Sequence, residues 1–530
     1  MDISVFEVIG PVMVGPSSSG TAGMARLGWA AGKFLDEPIK KLNLRFHPRN
    51  TDYAGLRSHL ALVGGVLGLR EYDPQLQNAL ELAKERGLEV TASRFSEPLP
   101  KSGLTVEFTM EQQSGEVRRV TGVSVGGGSI AIIGIDDFQV DLTSTARHLF
   151  VWAGEDVSGD LAKILPGDRP LKQDQKGGQY LFYVEVPLDP DECLARQIEA
   201  TPQVTKILFV EPFLKFGYVP HQPLFTTYEG LMKLSRETGK TVAELALDYE
   251  MNRSGKTRRE IWETMAQNLA YMRETVEDGL KKDLKTLFGF GTGVDGRQML
   301  QAVKEGKTLG GDTLGRAIAK ALATMEMDCS MNRVVAAPTG GSCGIVPGCL
   351  FTVQEDIGCT DDELINALFV AAAAGVVMYF EGASFSGLGG GCQGEIGVSS
   401  AIAAAALAYL GGGNAKVICH AMALSMKNIL GLICDRIGGS SEIPCIRRNG
   451  MGVANAFSGC DMALAGIESY VSPDEVIEAL CNTQKLLPPA LRGGYGGLGC
   501  TSTSRIAREI EKKVNQTLTL PEIKLLRPET

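Results

Sequence analysis

Two periodicities divide the chain. Between residues 104 and 142 apolar and polar positions alternate, through Leu104, Val106, Phe108 and Met110 and again through Phe138, Val140 and Leu142. A period of two sends successive side chains to opposite faces, so these runs predict half-buried antiparallel strands. Gly126, Gly127 and Gly128 fall between them; with no P-loop lysine and no helix signature following, they read as a turn or bulge, not a phosphate cradle. From His148 to Pro212 the β-rich runs LFVWAG and YLFYVEV precede a helical DPDECLARQIEATPQV and another strand, TKILFVEP. That is the outline of a small α+β domain. After GYVPHQP the period lengthens, as in Val242, Leu245, Ala246 and Tyr249. Three Thr-x-x-Glu capping boxes, Thr226/Glu229, Thr241/Glu244 and Thr257/Glu260, predict helix starts there. The expected fold class is therefore multidomain: an α+β N-terminal domain over 1–145, a small α+β domain over 146–216, and a large all-α domain over 224–530.

Length and composition fit this division. At about 100–200 residues per domain, 530 residues make roughly three domains. A composition 44% hydrophobic and 22% charged, with net charge −10, is that of a globular protein and argues against nucleic acid as a partner. The sequence starts without a basic n-region, and no run reaches the roughly 18 apolar residues of a membrane span, so a cytoplasmic protein without a membrane partner is expected. The longest apolar runs, 367–380 and 401–410, are alanine-rich and suit packed core helices.

Cysteine usage is lopsided. Of twelve cysteines only Cys193 precedes residue 329. In a reducing compartment such a cluster is not a disulfide framework, and the absence of any CxxC pair disfavours zinc knuckles and ferredoxin-type runs. Cys349, Cys359, Cys419, Cys460 and Cys481 fall in apolar helical patterns and read as core residues, as do Cys343 and Cys500 near glycine loops. Cys392, Cys434 and Cys445 instead lie in or beside glycine-rich polar loops, where function concentrates. Three thiolates on a [4Fe–4S] cluster would leave one iron open to substrate. Near the start, VGPSSSGTAGM sets Ser17, Ser18, Ser19 and Thr21 at a helix N-terminus, which makes either an anion site or simply a cap.

These segments resemble the bacterial iron–sulfur L-serine dehydratases (L-serine ammonia-lyases). IGPVMVGPSSSGTAG and VSVGGGSIAIIGIDDFQVDL are similar to that family's β part, and residues 148–212 to a diverged ACT-type regulatory domain. MNRVVAAPTGGSCGIVPG, GGGCQGEIGVSS and LGLICDRIGGSSEIPCIRRNGMG resemble its catalytic α part, here fused to the β part. The resemblance implies cluster ligation by Cys392, Cys434 and Cys445, and β-elimination from a small-molecule amino acid, L-serine, to pyruvate and ammonium with no PLP. A homodimer is expected on the same ground. Thr339 and Ser342 would hydrogen-bond the substrate or only shape their loop. Glu395 would orient a ligand, bind the ammonium, act as base or cap a helix. Asn449 and Arg448 would contact cluster or substrate, Arg448 being otherwise a solvated charge. Asp435 would support Cys434, and His420 is a packed or capping histidine.

Two positions depart from the resemblance. The family motif reads GPSSSHT, and Gly20 stands at its histidine; a second histidine in a GHGT stretch is answered only by the shifted His59 or by His47. This leaves room for the same chemistry on another amino acid, such as cysteine or a larger hydroxy acid, or for a non-catalytic cluster-containing metabolite sensor.

Overall fold

The computed structural model describes residues 3–46, 56–94, 104–126, 128–143, 147–165, 170–186, 192–212, 219 and 221–518. His47 and the expected boundaries at 145/146 and 216 lie outside these residues.

The alternating segments form a six-stranded sheet in the order Glu89–Arg94, Ile39–Phe46, Leu104–Gln112, Val117–Gly126, Ser129–Ile135, Phe138–Thr143. Among the described residues of this sheet only the Ile39–Phe46/Glu89–Arg94 pair is parallel, and helices Ser58–Val66 and Ala79–Glu85 lie in its crossover. Along Leu104–Gln112, Val106, Phe108 and Met110 are all buried, as alternation requires. Gly128, at φ +84°, turns the chain between the next two strands, and Arg26 Nη1 donates to its carbonyl at 2.7 Å. Helices Gly23–Gly32 and Ser58–Val66 pack together so closely that a Cβ on Gly28 would lie 2.2 Å from the Leu62 carbonyl oxygen.

Residues 147–210 run strand, helix, strand, strand, helix, strand, in an antiparallel sheet ordered Val204–Val210, Arg147–Ala153, Gln179–Val186, Lys172–Lys176. This is a split-βαβ arrangement. Both faces are buried. Leu149, Val151, Phe182 and Val184 face its own helices, whereas Phe150, Trp152, Leu181 and Tyr183 join the core of the six-stranded sheet. The Phe34 and Phe150 rings meet edge to face at 5.5 Å.

From Tyr228 onward the chain is largely helical, with the alanine-rich helices Asp361–Phe380 and Val398–Leu410 in its interior. Contrary to the sequence expectation, Asp361–Phe380 is long and apolar enough to cross a membrane, but 78% of its apolar window is buried within the protein. The region is also not purely α. Arg333–Val335 pairs antiparallel with Val12–Val14, and Val5, Phe6 and Val8 pack in the helical core, so the first residues of the chain lie with its second half. Thr241 and Thr257 form the expected capping boxes. The first box is corrected: Thr227 is the cap, its hydroxyl accepting from Gly230 N–H, and the Asp474 carboxylate from a distant helix accepts from Tyr228 and Glu229 N–H. Two cysteines are corrected as well, because Cys359 is half-buried in the turn before Asp361 and Cys500 is exposed.

Candidate active site

Three loops of the helical region deliver the thiols. Cys392 caps a short π-helical turn, Gln393–Gly397, that continues into helix Val398–Leu410. Cys434 is pinned by backbone bonds of 2.8 Å, its N–H to the Leu491 carbonyl and its own carbonyl to Gly493 N–H. Cys445 opens helix Cys445–Leu464. All three are buried, at 2%, 4% and 5% exposure. The sulfurs of Cys392 and Cys434 and a Glu395 carboxylate oxygen lie within 4.8 Å of one another, and Cys434, Cys445 and Glu395 line one cleft. Gly387 makes this approach possible, since a Cβ there would lie 2.5 Å from Glu395 Oε2 and 3.1 Å from Cys434 Sγ.

Positive charge surrounds the sulfurs. Arg448 Nη1 donates to Cys392 Sγ at 3.3 Å and to the Ile433 carbonyl at 2.8 Å, while Nη2 donates to Asp435 at 2.7 Å. Asp435 in turn accepts from Leu498 N–H at 3.0 Å. Cys392 and Cys434 hydrogen-bond each other; that bond, with Arg436 and Arg448, favours ionisation of Cys434, while the same bond and burial oppose that of Cys392. Burial pushes the Cys445 thiol up. Buried soft sulfur donors backed by cationic hydrogen-bond donors are a set suited to an iron–sulfur cluster. Burial also raises the pKa of Glu395, opposed by the hydrogen bond from Thr339 Oγ1 at 3.2 Å and by Arg436 and Arg448.

The remaining sequence candidates divide. Ser17, Ser18 and Ser19 line the cleft, and Ser17 Oγ is also a cap, accepting from Gly20 N–H at 3.0 Å. Thr21 is buried behind that turn with its hydroxyl on the Leu56 carbonyl. Thr339 touches Glu395, whereas Ser342 is buried and bonds the Ala337 carbonyl at 3.1 Å. Asn449, fully buried, ties loops together: Oδ1 accepts from Gly344 N–H at 3.1 Å, and Nδ2 donates to the Gly341 and Cys445 carbonyls at 2.9 Å. Arg448 is committed to Cys392 and Asp435 and does not line the cleft. His420 Nδ1 accepts from Ser469 N–H, a capping role.

Sequence reasoning missed Arg436, Ser386 and Ser441, which line the cleft with Leu56, Leu104 and Leu388. Arg436 sits in the same CDRIGG loop as Cys434, and that proximity was the available signal. It also missed Asp328, fully buried near Glu395, with no hydrogen-bond partner on either oxygen; burial, then Glu395, push its pKa well up. The absent histidine at Gly20 has a steric counterpart, for a Cβ there would lie 2.4 Å from Leu56 Cδ1. His59 is buried and does not line the cleft.

Residues 237–495 match the family model described as serine dehydratase alpha chain. The chain is 40% identical over 292 residues to a probable L-serine dehydratase alpha chain of Bacillus subtilis, an alignment covering 55% of this chain and 95% of that protein. It is 34% identical over 296 residues to the L-serine dehydratase alpha chain of Peptoniphilus asaccharolyticus, covering 55% of this chain and 99% of the relative. L-serine dehydratase 1 of Escherichia coli is 41% identical over 166 residues, 31% of this chain and 37% of the relative. The matched family model and these relatives make the chain a lyase. The chain belongs to the L-serine dehydratase family and is an enzyme of the ammonia-lyase type.

Proposed function

We propose that the chain converts L-serine to pyruvate and ammonium with a [4Fe–4S] cluster held by Cys392, Cys434 and Cys445 and without PLP. The observations that carry this are the grouping of the Cys392 and Cys434 sulfurs with Glu395 within 4.8 Å and the convergence of Cys434, Cys445, Glu395 and the Ser17–Ser19 turn on one cleft. When bound, the cluster supplies a Lewis-acidic iron for the substrate's hydroxyl and carboxylate. Arg436 and the N–H groups of the serine turn face the carboxylate end. Glu395, held by Thr339, takes the Cα proton and returns it to the departing β-hydroxyl, which leaves as water. The 2-aminoacrylate left behind tautomerises to an imine, whose hydrolysis gives pyruvate and ammonium. Asn449 and Ser342 fix the loops, and Arg448 holds Cys392 in place. Residues 1–145 serve as the β-type domain, 146–216 as an ACT-like regulatory domain, and 224–530 as the catalytic domain, in a cytoplasmic homodimer.

Leu56, Leu104 and Leu388 on the cleft wall favour a second reading in which the β-hydroxy amino acid carries a longer apolar side chain. Anaerobic reconstitution followed by turnover of L-serine, L-threonine, L-cysteine and longer hydroxy amino acids decides both. Iron and sulfide near four each per chain, lost in Cys392→Ala, with 2-oxo acid and ammonia released in equal amounts, is the expected result. Full activity of Cys392→Ala refutes the cluster assignment, and turnover confined to the longer substrates replaces serine.

A further inference from the structure

Arg57 is the only Asp, Glu, Lys or Arg between residues 53 and 69, a segment otherwise rich in leucine, valine and glycine. It is 3% exposed and takes φ +54°, a left-handed conformation that a residue other than glycine keeps only where its surroundings demand it. Its backbone neighbours hold the serine turn. The Leu56 carbonyl accepts from Thr21 Oγ1 at 2.8 Å, and Ser58 Oγ donates to the Gly20 carbonyl at 2.5 Å.

The Arg57 side chain reaches into the helical region. Its guanidinium carbon lies over the Phe288 ring, 5.2 Å from the centroid. The N–H groups of Phe288, Phe290 and Gly291 donate to the Glu442 carboxylate at 2.7, 2.8 and 3.0 Å, and Glu442 stands three residues before Cys445. A second acid comes from the C-terminal helix Ser502–Leu518. Glu511 accepts from Gly439 N–H at 2.7 Å on both oxygens and from Ser440 N–H at 3.1 Å, beside Gly438 N–H, which donates to Ser504 Oγ at 3.2 Å. Glu442 and Glu511 are the acids whose charges act on Arg57, against the effect of its burial. A buried cation is costly unless it is paired, so Arg57 draws both acids toward itself, and with them the loop from Cys434 to Cys445 that they fasten. Neither Arg57 nor Glu511 falls within the segment 237–495 that matches the family model.

We propose that Arg57 is a positioning residue that locks the serine turn to the Cys434–Cys445 loop, with Glu442 and Glu511 as its counter-charges, and so sets the spacing between the carboxylate and hydroxyl ends of the substrate. The spacing half rests on the proposed reaction; the lock does not.

Hydrogen–deuterium exchange of the full chain, before any cluster is added, reads the lock at both ends. Arg57→Met is expected to speed exchange tenfold or more in a peptide covering 438–440. Glu511→Gln is expected to do the same in a peptide covering 17–22, although its own carboxylate sits on Gly439 and Ser440. Both substitutions together are expected to do no more than the stronger one alone. Arg57→Lys, which keeps the charge, is expected to exchange more slowly than Arg57→Met and stands in for it in the combination where Arg57→Met fails to fold. Additive effects, or a change confined to the substituted end, overturn the lock. In the reconstituted enzyme Arg57→Met is expected to raise KM for the amino acid tenfold or more per iron-loaded chain, with kcat changed less than threefold; an unchanged KM overturns the spacing role and leaves the lock standing. A parent that takes up no cluster overturns the proposed reaction, while the exchange measurements still decide the lock.

Discussion

Replacing Asn449 by alanine tests how the catalytic loops are held. Its amide is fully buried and makes contacts at 2.9–3.1 Å with Gly344 N–H and the Gly341 and Cys445 carbonyls. Cys445 opens the helix that carries Asn449, so its carbonyl keeps a helical partner four residues on. Gly344 N–H and the Gly341 carbonyl have no such substitute. An unsatisfied buried group costs about 1–3 kcal/mol, so the two together reduce local stability by about 4 kcal/mol. At about 1.4 kcal/mol per decade this accelerates exchange of the Gly344 amide roughly a thousandfold. Hydrogen–deuterium exchange of a peptide spanning 340–350, in variant and parent, reads it directly. Because Thr339 lies in the same loop and orients Glu395, the variant should also lose kcat more than it changes KM. An exchange rate within tenfold of the parent, with the far-UV spectrum unchanged, would refute the view that Asn449 clamps the loop.

Other outcomes follow from the same geometry. Gly20→His, which restores the motif's histidine, is expected to destabilise because Leu56 occupies the space; Gly20→His with Leu56→Ala recovers about 1–3 kcal/mol of that loss in thermal melts, and failure to recover shows that Leu56 is not the obstacle. Asp328, with a pKa raised by burial above that of the unfolded chain, contributes stability that is fully present below the ordinary carboxyl range and is lost as pH rises. Asp328→Asn should therefore gain on the parent steadily from pH 4 to pH 8, and parallel melting curves across that range would contradict it. Arg448→Met removes the guanidinium from Cys392 and Asp435, and is expected to lower iron retention after gel filtration while leaving thiol content unchanged; full retention would show that the cation does not support the sulfurs.

The parts of the fold that were legible in sequence are those where one local rule decides. Alternation placed the strands from Leu104 to Thr143, and Thr-x-x-Glu spacing placed the starts of Val242–Ser254 and Arg258–Lys281. Long-range substitution defeated the same rule once, where Asp474 from a distant helix occupied the N-terminus near Thr227. The pairing of Val12–Val14 with Arg333–Val335 joins segments more than 300 residues apart, and neither three-residue strand carries a period of its own. At the site, the loop position of Cys392, Cys434 and Cys445 separated them from the core cysteines. Whether an arginine faces a cleft or a sulfur depends on the turn that carries it, so Arg436 on the cleft wall went unnoticed and Arg448 turned to Cys392 and away from the cleft.

The electrostatics of the proposed catalytic cleft need more than Arg436 on its wall and Arg448 beside Cys392. Four helices start at it: Gly23–Gly32 behind the Ser17–Ser19 turn, Ile345–Ile357 behind Gly341, Val398–Leu410 behind Glu395, and Cys445–Leu464 at Cys445 itself. Each brings the positive end of its dipole toward the cleft, equivalent to about half an elementary charge, Gly23–Gly32 and Val398–Leu410 through the π-helical turns Ser18–Ala22 and Gln393–Gly397 that lead into them. Together they favour thiolates, carboxylates and any anionic cluster in a place where burial alone would keep the thiols protonated, as it does for Cys343 and Cys349 elsewhere in the helical region. This field comes from the fold, not from a titratable side chain. Loss of the motif's imidazole at Gly20 therefore removes one source of attraction for an anionic substrate and leaves the larger one intact. What the glycine changes is shape, because Leu56 moves into the cleft wall, and shape bears on which amino acid enters.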